Sequence, residues 1–360
     1  MLVIDGHLDL AWNALQWNRD LRQSAHTIRV QEQAVPGPGR AQGTVALPEL
    51  RQGHVALCFA TMLARSTGTP APHIDFRSPA QAYGIAHGQL AYYRALAQEG
   101  LARIISDREA LDSHMVEWEA WDSLRDASAD AVPPIGLVFS AEGADPILEP
   151  DQLQEWWEMG LRVLGPTHYG PGRYAGGTGT ELGLTTLGEA LLGEMAHLGI
   201  VLDVTHFSDQ AFWQALDLYR GPVLASHNNC RALVPHQRQF SDAQLRALCE
   251  RDGVIGAAFD AWMLQPGWVT GQSTNETVTL ERVVDHIDYV CQLAGSSRHI
   301  AIGSDLDGGF GREQSPHDLD TVADLQKLPA LLAQRGYTQE DVVAIMHGNW
   351  LRLLRQAWRS

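Results

Sequence analysis

His7, Asp9, Glu142, His168, His206 and His227 stand at the ends of five short apolar runs: LVIDGHLD, IGLVFSAEG, LRVLGPTH, IVLDVTH and PVLASH. Imidazole nitrogens and carboxylate oxygens in one set suit zinc or a similar transition metal. His7 and Asp9 are separated by one residue, so on a strand both side chains point to one face and converge on one ion. His206 and His227 close two consecutive runs and make a second pair. Glu142 offers two carboxylate oxygens, one for each of two ions. Two divalent ions about 3.5–4 Å apart lower the pKa of a water shared between them, which makes it a nucleophile at neutral pH.

The elements that must position these residues follow from the pattern. An apolar run of four to eight residues reads as a buried strand. Eight are expected, at about 2–9, 53–63, 135–142, 161–168, 199–206, 221–227, 253–260 and 299–305. Glycines 53, 160, 199 and 253 precede four of them and are placed to close the preceding helix. Helical spacing fills 79–99, 151–159, 185–198, 208–219, 241–251 and 277–294. Eight alternating units predict an α/β fold, a closed (β/α)8 TIM barrel whose strand ends carry the chemistry. Residues 1–360 read as a single hydrolase domain, with a C-terminal helix at about 339–357 packed on the barrel. Two intervals, 10–52 with its PGPGRAQG stretch and 64–78, are too long for simple crossovers. Insertions there fall on the catalytic face, where they either wall a pocket or form ordinary surface loops. The GGTGTELG segment neither follows a strand nor opens a helix, and reads as a loop.

Composition narrows the function. The 360 residues are 45% hydrophobic and 19% charged, which suits a soluble enzyme with a sizeable core. A net charge of −17 repels nucleic acid and anionic membrane, so neither is an expected partner. The chain has a single lysine, Lys327, which lies after an acidic stretch far from any strand end. A carboxylated lysine bridge is thereby disfavoured and Glu142 is the expected bridge. Cys58, Cys230, Cys249 and Cys291 have no C-x-x-C spacing and read as free thiols. No basic n-region with an apolar h-region opens the chain, and no apolar run approaches ~20 residues. A cytoplasmic location is the default expectation.

The motifs DGHLDLAW, SAEGADPI, LRVLGPTHYG, GLTTLGE, VLDVTHFSD, SHNNCRALVPHQRQFSD, HIDYVCQLAGSSRHIAIGSDLDG and GNWLRLL run nearly end to end. In their order and spacing the chain resembles the membrane (renal) dipeptidase family of metal-dependent amidohydrolases. The resemblance implies one zinc on His7 and Asp9, another on His206 and His227, and Glu142 bridging them. It further implies a substrate-polarising His168, a carboxylate-binding Arg238 and an acid/base Asp305. One departure stands out: Phe259 lies near where some members carry a substrate-contacting tyrosine, with Asp260 and Trp262 beside it.

Physical chemistry supports these roles independently. His168 is free to donate to a developing oxyanion. Asp305 ends the last strand, where it can take a proton from water and return it to a leaving amine. Arg238 presents a fork that matches a carboxylate. Rivals exist within the same segments: Asp307 as a turn residue before Gly308 and Gly309, and Arg231 as a capping or surface arginine. His286 and His347 read as structural, while Trp12 and Trp262 sit near strand ends and are candidates to line the pocket. The expected activity is a binuclear zinc dipeptidase, a hydrolase of peptide bonds that tolerates a D-residue at the C-terminal position. The alternatives are an amidohydrolase acting on N-acyl amino acids, lactones, cyclic amides or phosphoesters, and a catalytically silent metal-binding barrel. The expected partners are a small dipeptide substrate and a second copy of the chain in a homodimer.

Overall fold

Strands buried on both faces need no polar alternation, and the apolar runs of this chain form a parallel sheet accordingly. The computed structural model describes residues 1–124 and 132–358. Its strands are β1 (Val3–Leu8), β2 (Val55–Leu63), β3 (Ala102–Ile104), β4 (Ile135–Glu142), β5 (Leu161–Gly165), β6 (Val201–Asp203), β7 (Val223–Ala225), β8 (Val254–Ala257) and β9 (Ile300–Ile302). They pair in the order β2-β1-β9-β8-β7-β6-β5-β4-β3, and a further β2–β4 pairing closes the ring. All pairings are parallel. The result is a closed eight-stranded (β/α)8 barrel surrounded by helices, with β3 as an addition.

The eight expected strands are all present, and β3 was not foreseen. It occupies the first half of one edge of β4, where Ala102 pairs with Ile135 and Ile104 with Leu137. The second half of that edge pairs with β5, from Phe139 to Glu142. A three-residue strand carries too little pattern to be read locally.

The expected strand ends at 168, 206, 227 and 305 overrun the observed ones by two or three residues. The backbone turns away once its last ladder partner is passed. His206 and Asp305 take left-handed φ values of 67° and 58° there.

The interval 10–52 is more regular than its composition suggests. It carries helices Leu10–Gln16, Ala25–Gln31 and Leu47–Gln52, and the irregular parts are the short link 17–24 and the Pro/Gly stretch between the last two helices. Of the four glycines placed before strands, Gly199 closes the helix Thr186–Leu198 in the left-handed conformation, φ 70°. The C-terminal helix is interrupted by one wide π turn, Ala344–Gly348, between Gln339–Val343 and Asn349–Ala357. Trp350 beyond that turn is fully buried. Its indole donates to the Ile302 carbonyl (2.8 Å), and its ring lies 5.0 Å from that of Phe59. No helix among the described residues is long and apolar enough to cross a membrane.

Candidate metal centre

The ends of β1, β4, β6 and β7 bring His7, Asp9, Glu142, His206 and His227 together, each less than one-tenth exposed. Glu142 lies between two groups. Its Oε2 is 3.7 Å from His7 Nε2, which is also 3.7 Å from Asp9 Oδ2. Its Oε1 is 3.0 Å from His206 Nε2 and 3.3 Å from His227 Nε2. The two histidine nitrogens are themselves 3.3 Å apart. Asp305 reaches the same centre, with Oδ1 3.7 Å from His7 Nε2.

These residues fit divalent cations. His7 Nε2 and Asp9 Oδ1 are buried without a hydrogen-bond partner, although a buried polar atom left unpaired costs about 1–3 kcal/mol. Burial opposes a charge on His7, but the carboxylates of Glu142, Asp9 and Asp305 outweigh it and raise its pKa to about 10. A cage that holds a proton so firmly is one short of positive charge. Burial raises the Glu142 carboxyl to about 7, against the pull of His7. Burial, with Arg238 nearby, keeps His206 and His227 well below the usual imidazole range and therefore neutral, as a metal ligand must be.

Hydroxyl groups set the histidine rings. Thr61 Oγ1 lies 3.4 Å from His7 Nδ1, Thr178 Oγ1 3.0 Å from His206 Nδ1, and Ser226 Oγ 3.0 Å from His227 Nδ1. A hydroxyl can accept the Nδ1 proton, which leaves the Nε2 lone pair for an ion. Two buried carboxylates pin the strand ends. Asp5 accepts from the His7 and Ser304 amides and the Ser304 hydroxyl, which ties β1 to the segment after β9. Asp203 Oδ1 accepts from the Thr205 and Ser226 amides, which ties β6 to β7. Sequence reading found none of these supports: most join residues 23 to 299 apart in the chain, and the local ones, such as Ser226 beside His227, carry no pattern of their own.

The centre opens into a cavity of about 430 Å³, lined also by Trp12, Arg65, His168, Tyr169, Arg238 and Asp260. Arg238 is buried at one side. Its Nη1 donates to Asn228 Oδ1 (2.5 Å) and its Nη2 to the His227 carbonyl (2.9 Å), which fixes the fork. Arg231 is engaged elsewhere, in a two-pronged pair with Asp209 at 2.6 and 2.9 Å. Asp307 accepts from the Thr44 amide and hydroxyl, the Val45 amide and Arg19, so it clamps the 10–52 insertion to the barrel. Phe259 is wholly buried, while Trp262 and Met263 beyond it join the cavity wall. Tyr169, 38% exposed, stands at the cavity, a position the sequence did not single out. His286 accepts from the Cys230 amide (3.1 Å), and His347 Nδ1 lies 3.1 Å from the Leu2 carbonyl. Lys327 pairs with Asp324 at 2.9 Å and is not among the residues lining the cavity.

The family model of the membrane dipeptidases, peptidase family M19, matches residues 1–359. A dipeptidase of Aspergillus oryzae, aclJ, is 34% identical over 56% of this chain; the match spans 46% of that protein, so the chain covers under half its length. The crystal structure of dipeptidase AC, a metallopeptidase of the same family, covers 100% of this chain and 99% of its own, with TM-score 0.77 and 25% identity. A metallopeptidase from Rhodobacter sphaeroides, liganded with a phosphinate mimic of the dipeptide L-Ala-D-Ala, has TM-score 0.78 and 24% identity, covering 99% of both chains.

Proposed function

We infer the activity from the premise that this chain belongs to the membrane dipeptidase family. It is a peptide-bond hydrolase, a metallo-dipeptidase. In detail, we propose one hydrolase domain over the whole chain that carries two zinc ions and cleaves dipeptides, including those with a D-residue at the C-terminal position. The observation that carries the reading is the split of Glu142, with one oxygen toward His7 and Asp9 and the other toward His206 and His227.

His7 and Asp9 would hold one ion, His206 and His227 the other, and Glu142 both. Zinc in this setting makes water nucleophilic at neutral pH and polarises a carbonyl. The residues do the rest. Arg238, already fixed by Asn228 and His227, receives the substrate carboxylate on its remaining donors. His168 donates from Nε2 to the scissile carbonyl oxygen as charge develops on it. Asp305 takes a proton from the attacking water and returns it to the leaving amine nitrogen.

Asp260, hydrogen-bonded by Gln314 at 2.9 and 3.1 Å, is nevertheless raised to about 7 by burial. A carboxyl so short of counter-charge favours a substrate with a free ammonium over an N-acylated one. With the carboxylate and the carbonyl both held, the second side chain points toward the mouth of the cavity, so either configuration is accommodated.

Metal analysis of the purified protein should find about two ions per chain. A metal-free preparation that still cleaves dipeptides would refute the reading. In an L-Ala-L-Xaa and L-Ala-D-Xaa series, D-isomers are expected within about 10³-fold of the best L-isomer in kcat/KM; a larger loss on every D-isomer, about 4 kcal/mol, means a closed pocket. Arg238→Met should raise KM for a free dipeptide by about 10²-fold, roughly the loss of one charge-assisted pair. An unchanged KM would place carboxylate recognition elsewhere and favour lactones or cyclic amides as substrates.

A further inference from the structure

Three of the four histidines at the centre have a hydroxyl at Nδ1, and the fourth does not. His168 Nδ1 lies 3.2 Å from Arg65 Nη1. A hydroxyl either donates or accepts, but a guanidinium has no acceptor and keeps its charge at every accessible pH. The Nδ1 of His168 must therefore be the lone-pair nitrogen, and the ring proton must sit on Nε2. That nitrogen is 3.7 Å from Glu142 Oε1, in the wall of the cavity that both residues line. Hydroxyl partners leave Nε2 of the other rings free to bind a cation, whereas the arginine gives His168 an Nε2–H that can only donate.

We propose that Arg65 is a positioning residue that fixes His168 in the Nε2–H tautomer and so creates the donor for the substrate carbonyl. The proposal rests on the donor role given to His168 above.

The insertion 64–78 is built to deliver this arginine. Its backbone pairs with the far arm of the same loop, Arg65 N to the Ile74 carbonyl and Phe76 N to the Arg65 carbonyl, both 2.8 Å. Arg65 Nε lies 3.4 Å from Asp75 Oδ2. Asp75 is buried and in turn accepts from the Thr67 amide (3.1 Å) and hydroxyl (2.6 Å). The next residue, Ser66, donates its amide to Asp145 just beyond β4 (2.9 Å), so the loop is anchored beside the strand that carries Glu142.

The test uses full-length, zinc-loaded protein with 15N-labelled histidine, the His168 signals being identified by their loss in His168→Gln. The expected spectrum has Nδ1 in the unprotonated range and Nε2 in the protonated range for the wild type. In Arg65→Met the two nitrogens should move toward a mixture of tautomers. With L-Ala-D-Ala, whose side chains carry no charge, Arg65→Met should lower kcat by about 10–100-fold, as loss of a partner that orients a site histidine does, and change KM by less than about threefold. Arg65→Lys, which restores a donor-only group, should recover part of kcat.

A protonated Nδ1 in the wild type overturns the proposal. So does a raised KM with unchanged kcat in Arg65→Met, which would make Arg65 a substrate-binding group. Should Arg65→Met fail to fold, the wild-type and Arg65→Lys spectra decide alone. A wild type with the expected tautomer and no turnover of any dipeptide would refute the proposed function while leaving the Arg65–His168 assignment standing.

Discussion

Glu142→Gln is expected to lower kcat/KM for dipeptides by at least about 10³-fold, roughly 4 kcal/mol of transition-state stabilisation, and to reduce bound metal to about one ion per chain. The substitution keeps the size of the side chain and removes one of its two anionic oxygens. Those oxygens serve different neighbours, Oε2 facing His7 at 3.7 Å and Oε1 facing His206 and His227 at 3.0 and 3.3 Å. An amide nitrogen in either place turns a hydrogen-bond donor toward a cation. Glutamine also lowers the negative charge of a cage that now raises His7 to about 10, against the opposing effect of its burial. Elemental analysis and steady-state kinetics on the same preparation check the expectation. Two tightly held ions with more than a tenth of the wild-type rate would show that Glu142 does not bridge.

Asp305→Asn is expected to lower kcat by about 10²–10⁴-fold, the range for loss of a general acid–base group, with KM changed by less than about threefold. Asparagine suits the position sterically, because Asp305 has a left-handed φ of 58° that Asn tolerates better than most residues. A drop in rate is then not a folding defect. Burial holds the Asp305 carboxyl well above the usual carboxylate range, His7 pulling against it and Glu142 adding to it. Such a group is suited to holding a proton between two transfers. Asp307→Asn serves as the contrast. It weakens a buried clamp of four donors and should cost on the order of 3 kcal/mol of stability rather than kcat. If Asp307→Asn abolishes turnover in folded protein while Asp305→Asn does not, the roles are reversed.

Much of the barrel was legible because a parallel strand covered on both faces must be apolar along its whole length. Such runs can be recognised without knowing their neighbours. The residues ending these runs were legible for the same reason, since strand ends in a barrel point to one mouth. Elements with weaker local signals were not. The strand β3 is three residues long, and the interval 10–52 hides three helices behind one Pro/Gly stretch.

The set His7, Asp9, Glu142, His206 and His227 was thus determined by the sequence itself, through residue type and position at the ends of apolar runs. Tertiary structure decided which neighbours each candidate residue meets. Asp305 and Asp307 are two residues apart and chemically identical. Only the folded chain saturates Asp307 with the Thr44, Val45 and Arg19 donors and leaves Asp305 facing His7. Arg238 and Arg231 are separated in the same way, one fixed beside the cavity and the other spent on Asp209. The partners that set each imidazole, Thr61, Thr178, Ser226 and Arg65, come mostly from other strands and loops, and three of the four contacts span 28 to 103 residues of sequence. Burial and periodicity are properties of a segment, so a sequence displays them. The direction of a hydrogen bond, and hence which nitrogen keeps its lone pair, belongs to two segments at once and exists only after they meet.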